Sequence, residues 1–253
     1  MFATLPMYPY AGLREAWDTL YRSVGTTVAQ NAPDTPTELD WSIDAHASWV
    51  DPRLALSQAC GWPLVTALRN RARVLGAFMH RIDGVSSHLY RSVIIAREVQ
   101  PLSALEGGCA AINSYDSLSG YVSLLAAFAV KSGRWPGEIT YTGAHAASIE
   151  AVRAGHADLA SIDALAWAYL QRLAPRELDG LVVVGRGPLV PCLPLIVAGN
   201  TDDALLQAWR SAFAQAMRDS ALAAVRTELL IEGFVPLDLA DYDSALEAQT
   251  RSS

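Results

Sequence analysis

The stretch GAHAASIEAVRAGHADLASID, residues 143–163, contains in one run the elements that decide the fold. Residues 145–154 have a helical pattern, and Gly155 follows where a helix end favours a left-handed residue. Residues 157–162 are short and mostly apolar, as a buried strand is, and Asp163 suits the N-cap of a further helix. Helix, strand and helix in this order indicate a parallel sheet with crossover helices.

The same alternation extends along the chain and predicts an α/β fold. Strands are predicted at residues 3–8, 39–43, 55–60, 73–80, 87–96, 109–112, 138–142 and 181–198. Further helices are predicted at residues 12–28, 64–71, 117–131, 163–172, 202–219 and 221–231.

Two long extended runs, residues 87–96 and 181–198, flank a compact block of strands and helices. They predict a discontinuous first lobe, residues 1–96 and 188–253, with a second lobe, residues 97–187, inserted into it. Each lobe is expected to be a mixed, mostly parallel sheet flanked by helices. The two crossing strands are expected to act as hinges.

The composition limits the partners that the chain can bind. Of 253 residues, 51% are hydrophobic and 18% are charged, which is typical of a folded globular protein. A net charge of −7 disfavours a nucleic-acid partner. Lys131 is the only lysine, so positive charge for an anion must come from arginine, histidine or backbone dipoles. No apolar stretch approaches the roughly 20 residues that span a bilayer, so no membrane insertion is expected.

Ligands of open parallel sheets bind at the carboxyl ends of the strands. Five predicted strand–helix junctions carry polar, aromatic and glycine residues. The predicted ligand-binding residues at these junctions are Tyr8, Tyr10, Cys60, Gly61, Trp62, Asn113, Ser117, Leu118, Ser119, Gly120, His145 and Asp163. Turns and N-caps also favour glycine, serine and aspartate for structural reasons, and the aromatic residues are equally compatible with a core position.

The segment NSYDSLSGY, residues 113–121, is a hydroxyl-rich turn that opens into an apolar helix. A helix N-terminus offers unpaired N–H donors and about half a positive charge, so it can hold a phosphate, phosphonate or carboxylate without a lysine. Two interpretations remain open for it: an anion site, or a helix that Asp116 or Ser117 caps. His145 is either an anion contact or structural, and Asp163 either a cap or a contact for a ligand ammonium group.

Catalytic and metal motifs find no support in the sequence. The five histidines form no pair with metal-ligand spacing, and Cys60, Cys109 and Cys192 are compatible with free thiols. A nucleophile elbow, a Walker loop and a dinucleotide fingerprint are all missing. We therefore expect no catalytic residue, no metal and no cofactor.

Four segments together resemble the phosphonate/phosphite-type substrate-binding proteins of ABC importers. They are residues 5–8 (LPMY), residues 58–64 (QACGWPL), residues 113–120 and residues 142–163. The resemblance implies a type II periplasmic-binding fold that captures a small anion between two lobes. It also implies that Ser117, Ser119, Gly120 and His145 contact the anion, and that the partner is an ABC permease.

Other functions remain open at this stage. The fold also occurs in cytoplasmic enzymes of menaquinone-precursor or thiamine-pyrimidine type, and in solute-sensing modules. The resemblance implies a periplasmic location, whereas residues 1–10 lack the features of a secretory signal, so the location stays open. Binding proteins of this kind are expected to be monomers.

Overall fold

The computed structural model describes residues 1–83 and 87–250. The chain forms two compact units. Met1–Arg81 and Pro191–Tyr242 make up the first unit. The described residues of Ile82–Val190 and Asp243–Ser253 make up the second.

The strands are β1 (Phe2–Ala3), β2 (Leu54–Gln58), β3 (Ala72–His80), β4 (Leu89–Tyr90), β5 (Val93–Ala96), β6 (Ala110–Ile112), β7 (Ile139–Tyr141), β8 (Leu159–Ile162), β9 (Val182–Arg186), β10 (Val190–Pro191), β11 (Pro194–Ala198) and β12 (Ile231–Val235). The α-helices are α1 (Arg14–Ala29), α2 (Ala45–Val50), α3 (Gly61–Val65), α4 (Ser123–Ala127), α5 (His145–Arg153), α6 (Ala164–Leu173), α7 (Asp203–Arg218), α8 (Ala223–Glu228) and α9 (Asp243–Thr250).

The first unit contains a five-stranded sheet in the order β1-β2-β11-β3-β12. β1, β2 and β3 run in one direction, while β11 and β12 run antiparallel to them. Aromatic side chains of α1, α7 and β3 form its core. Phe78, 1% exposed, lies 6.0 Å from the Trp17 ring and 5.6 Å from the Phe213 ring. Truncation of such a buried phenylalanine costs about 3–5 kcal/mol, so this cluster contributes substantially to the stability of the unit.

The second unit contains a five-stranded sheet in the order β7-β6-β8-β5-β9. β6 is parallel to both β7 and β8, and β5 is antiparallel to β8 and β9. Four of the five strands therefore run in the same direction. The carboxyl ends of β6, β7 and β8 meet at one edge of this sheet, and the residues that follow them are neighbours there.

Several predicted elements differ from the structure. The strand predicted at residues 3–8 is limited to Phe2–Ala3, the run at residues 87–96 forms β4 and β5, the run at residues 181–198 forms β9, β10 and β11, and the helix predicted at residues 117–131 ends at Ala127. Residues 39–43 are irregular, with a turn at residues 41–42, instead of a strand, because the Asp40 side chain accepts hydrogen bonds from the amide and hydroxyl of Ser42 at 2.9 and 2.6 Å. The helix predicted at residues 221–231 ends at Glu228, and β12 then begins and pairs with β3. The helix predicted at residues 64–71 lies earlier, as α3, because a proline is compatible with a first helical turn.

Candidate functional site

The hydroxyl-rich turn after β6 begins a helix in the second unit. Its first turn, Leu118–Val122, is π-helical, and α4 continues it to Ala127. The Ser117 hydroxyl caps the helix by accepting a hydrogen bond from the Gly120 amide at 3.0 Å. It also lies 3.4 Å from the Ser119 hydroxyl. Capping, one of the two interpretations of Ser117, is thus confirmed, and the cap brings two hydroxyls together at the helix start.

Ser119 connects this helix to the two neighbouring strand ends. Its hydroxyl lies 2.9 Å from Nε2 of His145, the first residue of α5. Its carbonyl accepts a hydrogen bond from the Ser161 hydroxyl on β8 at 2.5 Å. Ser117, Ser119 and Ser161 are at most 5% exposed. The ends of β6, β7 and β8 thus bring two buried hydroxyls and the imidazole of the partly exposed His145 together. We call Ser117, Ser119 and His145 the serine–histidine cluster.

Two atoms beside this helix start are buried and have no hydrogen-bond partner among the described residues: Nδ1 of His145 and Oδ1 of Asn113. Buried polar groups are rarely left in this state, because the lost hydration costs about 1–3 kcal/mol. Such groups in a native protein indicate a binding site or an ordered water. Both atoms belong to residues predicted from the sequence to bind the ligand.

The cluster carries hydrogen-bonding groups without a formal positive charge. Burial lowers the pKa of the His145 imidazole, an effect that the nearby Asp163 carboxylate opposes. The imidazole is therefore neutral at neutral pH, with one nitrogen donating and the other accepting. An anion at this position would be held by neutral donors and by the helix dipole.

Gly120 allows the helix start to pack closely on the preceding strand end. A Cβ atom at this position would lie 1.8 Å from Oδ1 of Asn113 and 3.1 Å from Oγ of Ser117. Both distances are shorter than van der Waals contact allows. Glycine is therefore required if Asn113 and Ser117 are to keep their positions.

Asp163 has a structural role at the start of α6. Its Oδ1 accepts hydrogen bonds from the amides of Leu165 and Ala166 at 2.9 and 3.0 Å. The carboxylate is 2% exposed and close enough to His145 to affect its pKa. Asp163 thus caps a helix, and it also contributes negative charge beside the serine–histidine cluster.

The contact between Ser119 and His145 is not a nucleophilic dyad. In such dyads a third group accepts a hydrogen bond from the second ring nitrogen and orients the base. No described residue accepts a hydrogen bond from Nδ1 of His145. The arrangement is suited to holding a ligand instead of attacking it.

Five predicted site residues lie in the first unit. Tyr8 and Cys60 are buried at 4% and 6% exposure, and Gly61 is buried at the start of α3. Tyr10 and Trp62 are partly exposed. Their predicted roles in ligand binding stay predictions.

Ser161 is a site residue that the sequence analysis missed. It lies within the apolar strand β8, and its hydroxyl fixes the backbone of Ser119. A single serine within an apolar strand is the only signal that the sequence offers for this role. Only the approach of the helix start to β8 shows which group the hydroxyl binds.

Within residues 1–83 and 87–250 no group of three or more histidine, cysteine or acidic side chains is arranged to hold a metal ion. None of the helices in the same residues has the length and the hydrophobicity that a membrane-spanning segment needs.

Each unit thus contains a five-stranded mixed sheet, as in the type II periplasmic-binding fold. Residues 53–242 match the model of a family described as "ABC transporter, phosphonate, periplasmic substrate-binding protein". The chain belongs to this family, which confirms the resemblance noted in the sequence. It is therefore a substrate-binding component of an ABC transporter and not an enzyme, and its partners are a small-molecule ligand and a permease.

Solved structures show the same fold at low sequence identity. PA3383 from Pseudomonas aeruginosa, a binding protein component of an ABC phosphonate transporter, is 13% identical with a TM-score of 0.74, over 98% of this chain and 85% of that one. PhnD1 from Prochlorococcus marinus, in complex with methylphosphonate, is 14% identical with a TM-score of 0.72, over 98% and 96%. XAC2383 from Xanthomonas citri, bound to chloride ion, is 17% identical with a TM-score of 0.72, over 99% and 96%. No curated protein matches the sequence significantly.

Proposed function

We propose that this protein captures a small anion of the phosphonate or phosphate type at the serine–histidine cluster and delivers it to an ABC permease. The observation that supports the proposal most directly is Nδ1 of His145, a buried ring atom without a described partner beside the hydroxyl-capped helix start. The predicted contacts in the first unit and the monomeric state remain parts of the proposal.

The donors of this site suit an anion that carries several oxygen atoms. A helix start presents N–H groups that lack intrahelical acceptors, and the hydroxyls of Ser117 and Ser119 stand beside them. Each neutral hydrogen bond contributes about 0.5–1.5 kcal/mol, and one to a charged oxygen about 1.5–3 kcal/mol. Micromolar affinity corresponds to about −8.2 kcal/mol, so about three to five bonds to charged oxygens would be needed to reach it without a lysine.

The ligands found in structurally similar proteins support the same class of ligand, a small anion. PhnD1 from Prochlorococcus marinus was solved with methylphosphonate. XAC2383 from Xanthomonas citri was solved both with chloride ion and with ATP. All three ligands are anions, and methylphosphonate is the smallest organic one.

Calorimetric titration with methylphosphonate and with inorganic phosphate tests the proposal. Ser119→Ala removes the hydroxyl that contacts His145, and we expect binding about tenfold weaker. Ser148→Ala is the matched control, because its buried hydroxyl on α5 already pairs with the Thr142 hydroxyl at 2.6 Å and is not available to a ligand. The control should bind like the unmodified protein. Equal affinities for the unmodified protein and Ser119→Ala would place the anion elsewhere.

A further inference from the structure

We infer that the ligand carries a second anionic group, a carboxylate joined to the first by a short carbon chain, and that Arg186 binds it. This inference rests on the proposed function, since it assumes that the first anionic group lies at the serine–histidine cluster. It names the substrate class more narrowly, as a carboxylate-bearing phosphonate or phosphate.

The sheet register places Arg186 at the same edge as the cluster. In the second unit Val93 of β5 pairs with Ile162 on one side and with Arg186 on the other. Ile162 directly follows Ser161, whose hydroxyl donates to the Ser119 carbonyl of the cluster at 2.5 Å. Two strand spacings separate Ile162 from Arg186, about 10 Å between their Cα atoms. An extended arginine side chain covers more than half of that distance, so the guanidinium can reach a ligand held at the cluster.

Arg186 also lines a cavity beside the start of α6. The cavity has a volume of about 150 Å³ and runs between α6 and the strands β5 and β9. Ala164, the residue after Asp163, lies at one part of its wall, and Trp167 and Val183 provide apolar surface. A carbon chain that extends from the cluster toward Arg186 would therefore contact apolar side chains along this cavity.

The guanidinium of Arg186 is exposed and forms no ion pair or hydrogen bond with any described side chain. Asp83 lines the same cavity, but the two residues form no ion pair. In contrast, Arg153 of this unit pairs with Glu150, and Arg97 donates to the carbonyls of Val152 and Ala157. All guanidinium N–H groups of Arg186 are therefore available to bind a ligand.

The charges around the site explain why a positively charged group is needed to bind a second anionic group. The cluster offers neutral donors, and Asp163 places a carboxylate beside it. The chain as a whole has a net charge of −7. A guanidinium at the same edge compensates for this charge and binds a carboxylate through two parallel hydrogen bonds, a geometry that lysine does not reproduce.

Calorimetry with two matched probes tests the inference. Phosphonopropionate and propylphosphonate have nearly the same shape, and only the first carries a carboxylate. We expect the unmodified protein to bind phosphonopropionate at least about tenfold more tightly. Arg186→Gln should remove this preference and leave the affinity for propylphosphonate unchanged. Arg134→Gln makes the same change of charge on the amino-terminal side of β7, and it should keep the preference.

A second substitution, Asp83→Asn, tests the inference independently. Removing a carboxylate from the cavity should tighten the binding of phosphonopropionate and leave propylphosphonate unaffected. If both probes bind equally to the unmodified protein, or if Arg186→Gln keeps the preference, the inference is wrong and the proposed function stands. If neither probe binds, and phosphate and methylphosphonate also fail, both are wrong.

Discussion

The turns after β6 and after β2 have the same strand–turn–helix connection, but their side chains offer different hydrogen-bonding groups. Each leads from the end of a strand into a helix. In the second unit Ser117 caps the helix through its hydroxyl, and the helix runs for ten residues from Leu118 to Ala127. In the first unit Cys60 precedes α3, which has five residues, and its side chain makes no capping hydrogen bond to a described amide.

This difference shows which turn can hold an anion. A longer helix with a hydroxyl cap combines a dipole with several donors, whereas a five-residue helix that contains Trp62, Pro63 and Leu64 offers mainly apolar surface. The side chains that begin each helix, not the shared backbone plan, decide the chemistry of the turn.

The largest effect is expected for Gly120→Ala. Because the added Cβ would lie 1.8 Å from Oδ1 of Asn113, the helix start must shift, and overpacking of this kind costs about 1–3 kcal/mol. Loss of one or two hydrogen bonds to the ligand should weaken methylphosphonate binding about tenfold to a hundredfold. Urea unfolding and calorimetry measure the two effects.

A second substitution separates the two effects of Gly120→Ala. Adding Asn113→Ala removes the atom that the new Cβ meets, so stability should recover in the double variant. An unchanged stability of Gly120→Ala itself would show that the close approach of Asn113 is not required.

An intermediate effect is expected when the two turns exchange their side chains. Ser117→Cys replaces the capping hydroxyl by a thiol, a much weaker hydrogen-bonding group, and should weaken methylphosphonate binding about tenfold. Cys60→Ser makes the reverse change in the first unit and should alter binding by less than about twofold, since this turn presents little to an anion. Comparable losses in the two variants, measured by calorimetry, would contradict the contrast between the turns.

The smallest effect concerns stability at acid pH. Burial lowers the pKa of His145 in the folded protein, against about 6.5 when unfolded, and Asp163 opposes the shift. The unfolded state therefore binds more protons between these two values, so the contribution of His145 is complete above about pH 6.5 and is lost as pH falls below it.

His145→Asn should accordingly lose less stability than the unmodified protein between about pH 7 and pH 5. His156→Asn, at an exposed histidine of the same unit, is the control and should behave like the unmodified protein. Urea midpoints at the two pH values decide the question. Parallel losses in all three proteins would assign the acid sensitivity to other groups.

Local patterns predicted much of the second unit. The helix at residues 145–154 and the strand at residues 157–162 are close to α5 and β8, and Gly155 has the positive φ of 78° expected after a helix. These features depend on periodicity and on the backbone freedom of glycine, which neighbouring residues reveal. β12 was missed because its pairing with β3 lies far away in sequence, and that pairing overrides helix propensity.

The sequence by itself determined the α/β class, the family and the position of the hydroxyl-rich helix start, because each depends on residues that are close together in the chain. Only the tertiary structure decided that Ser119 contacts His145, that Ser161 fixes Ser119, and that Arg186 reaches the same sheet edge without a described partner. These relations join residues that are 25 or more positions apart. Strand pairing brings such residues together, and no local pattern encodes the register of that pairing.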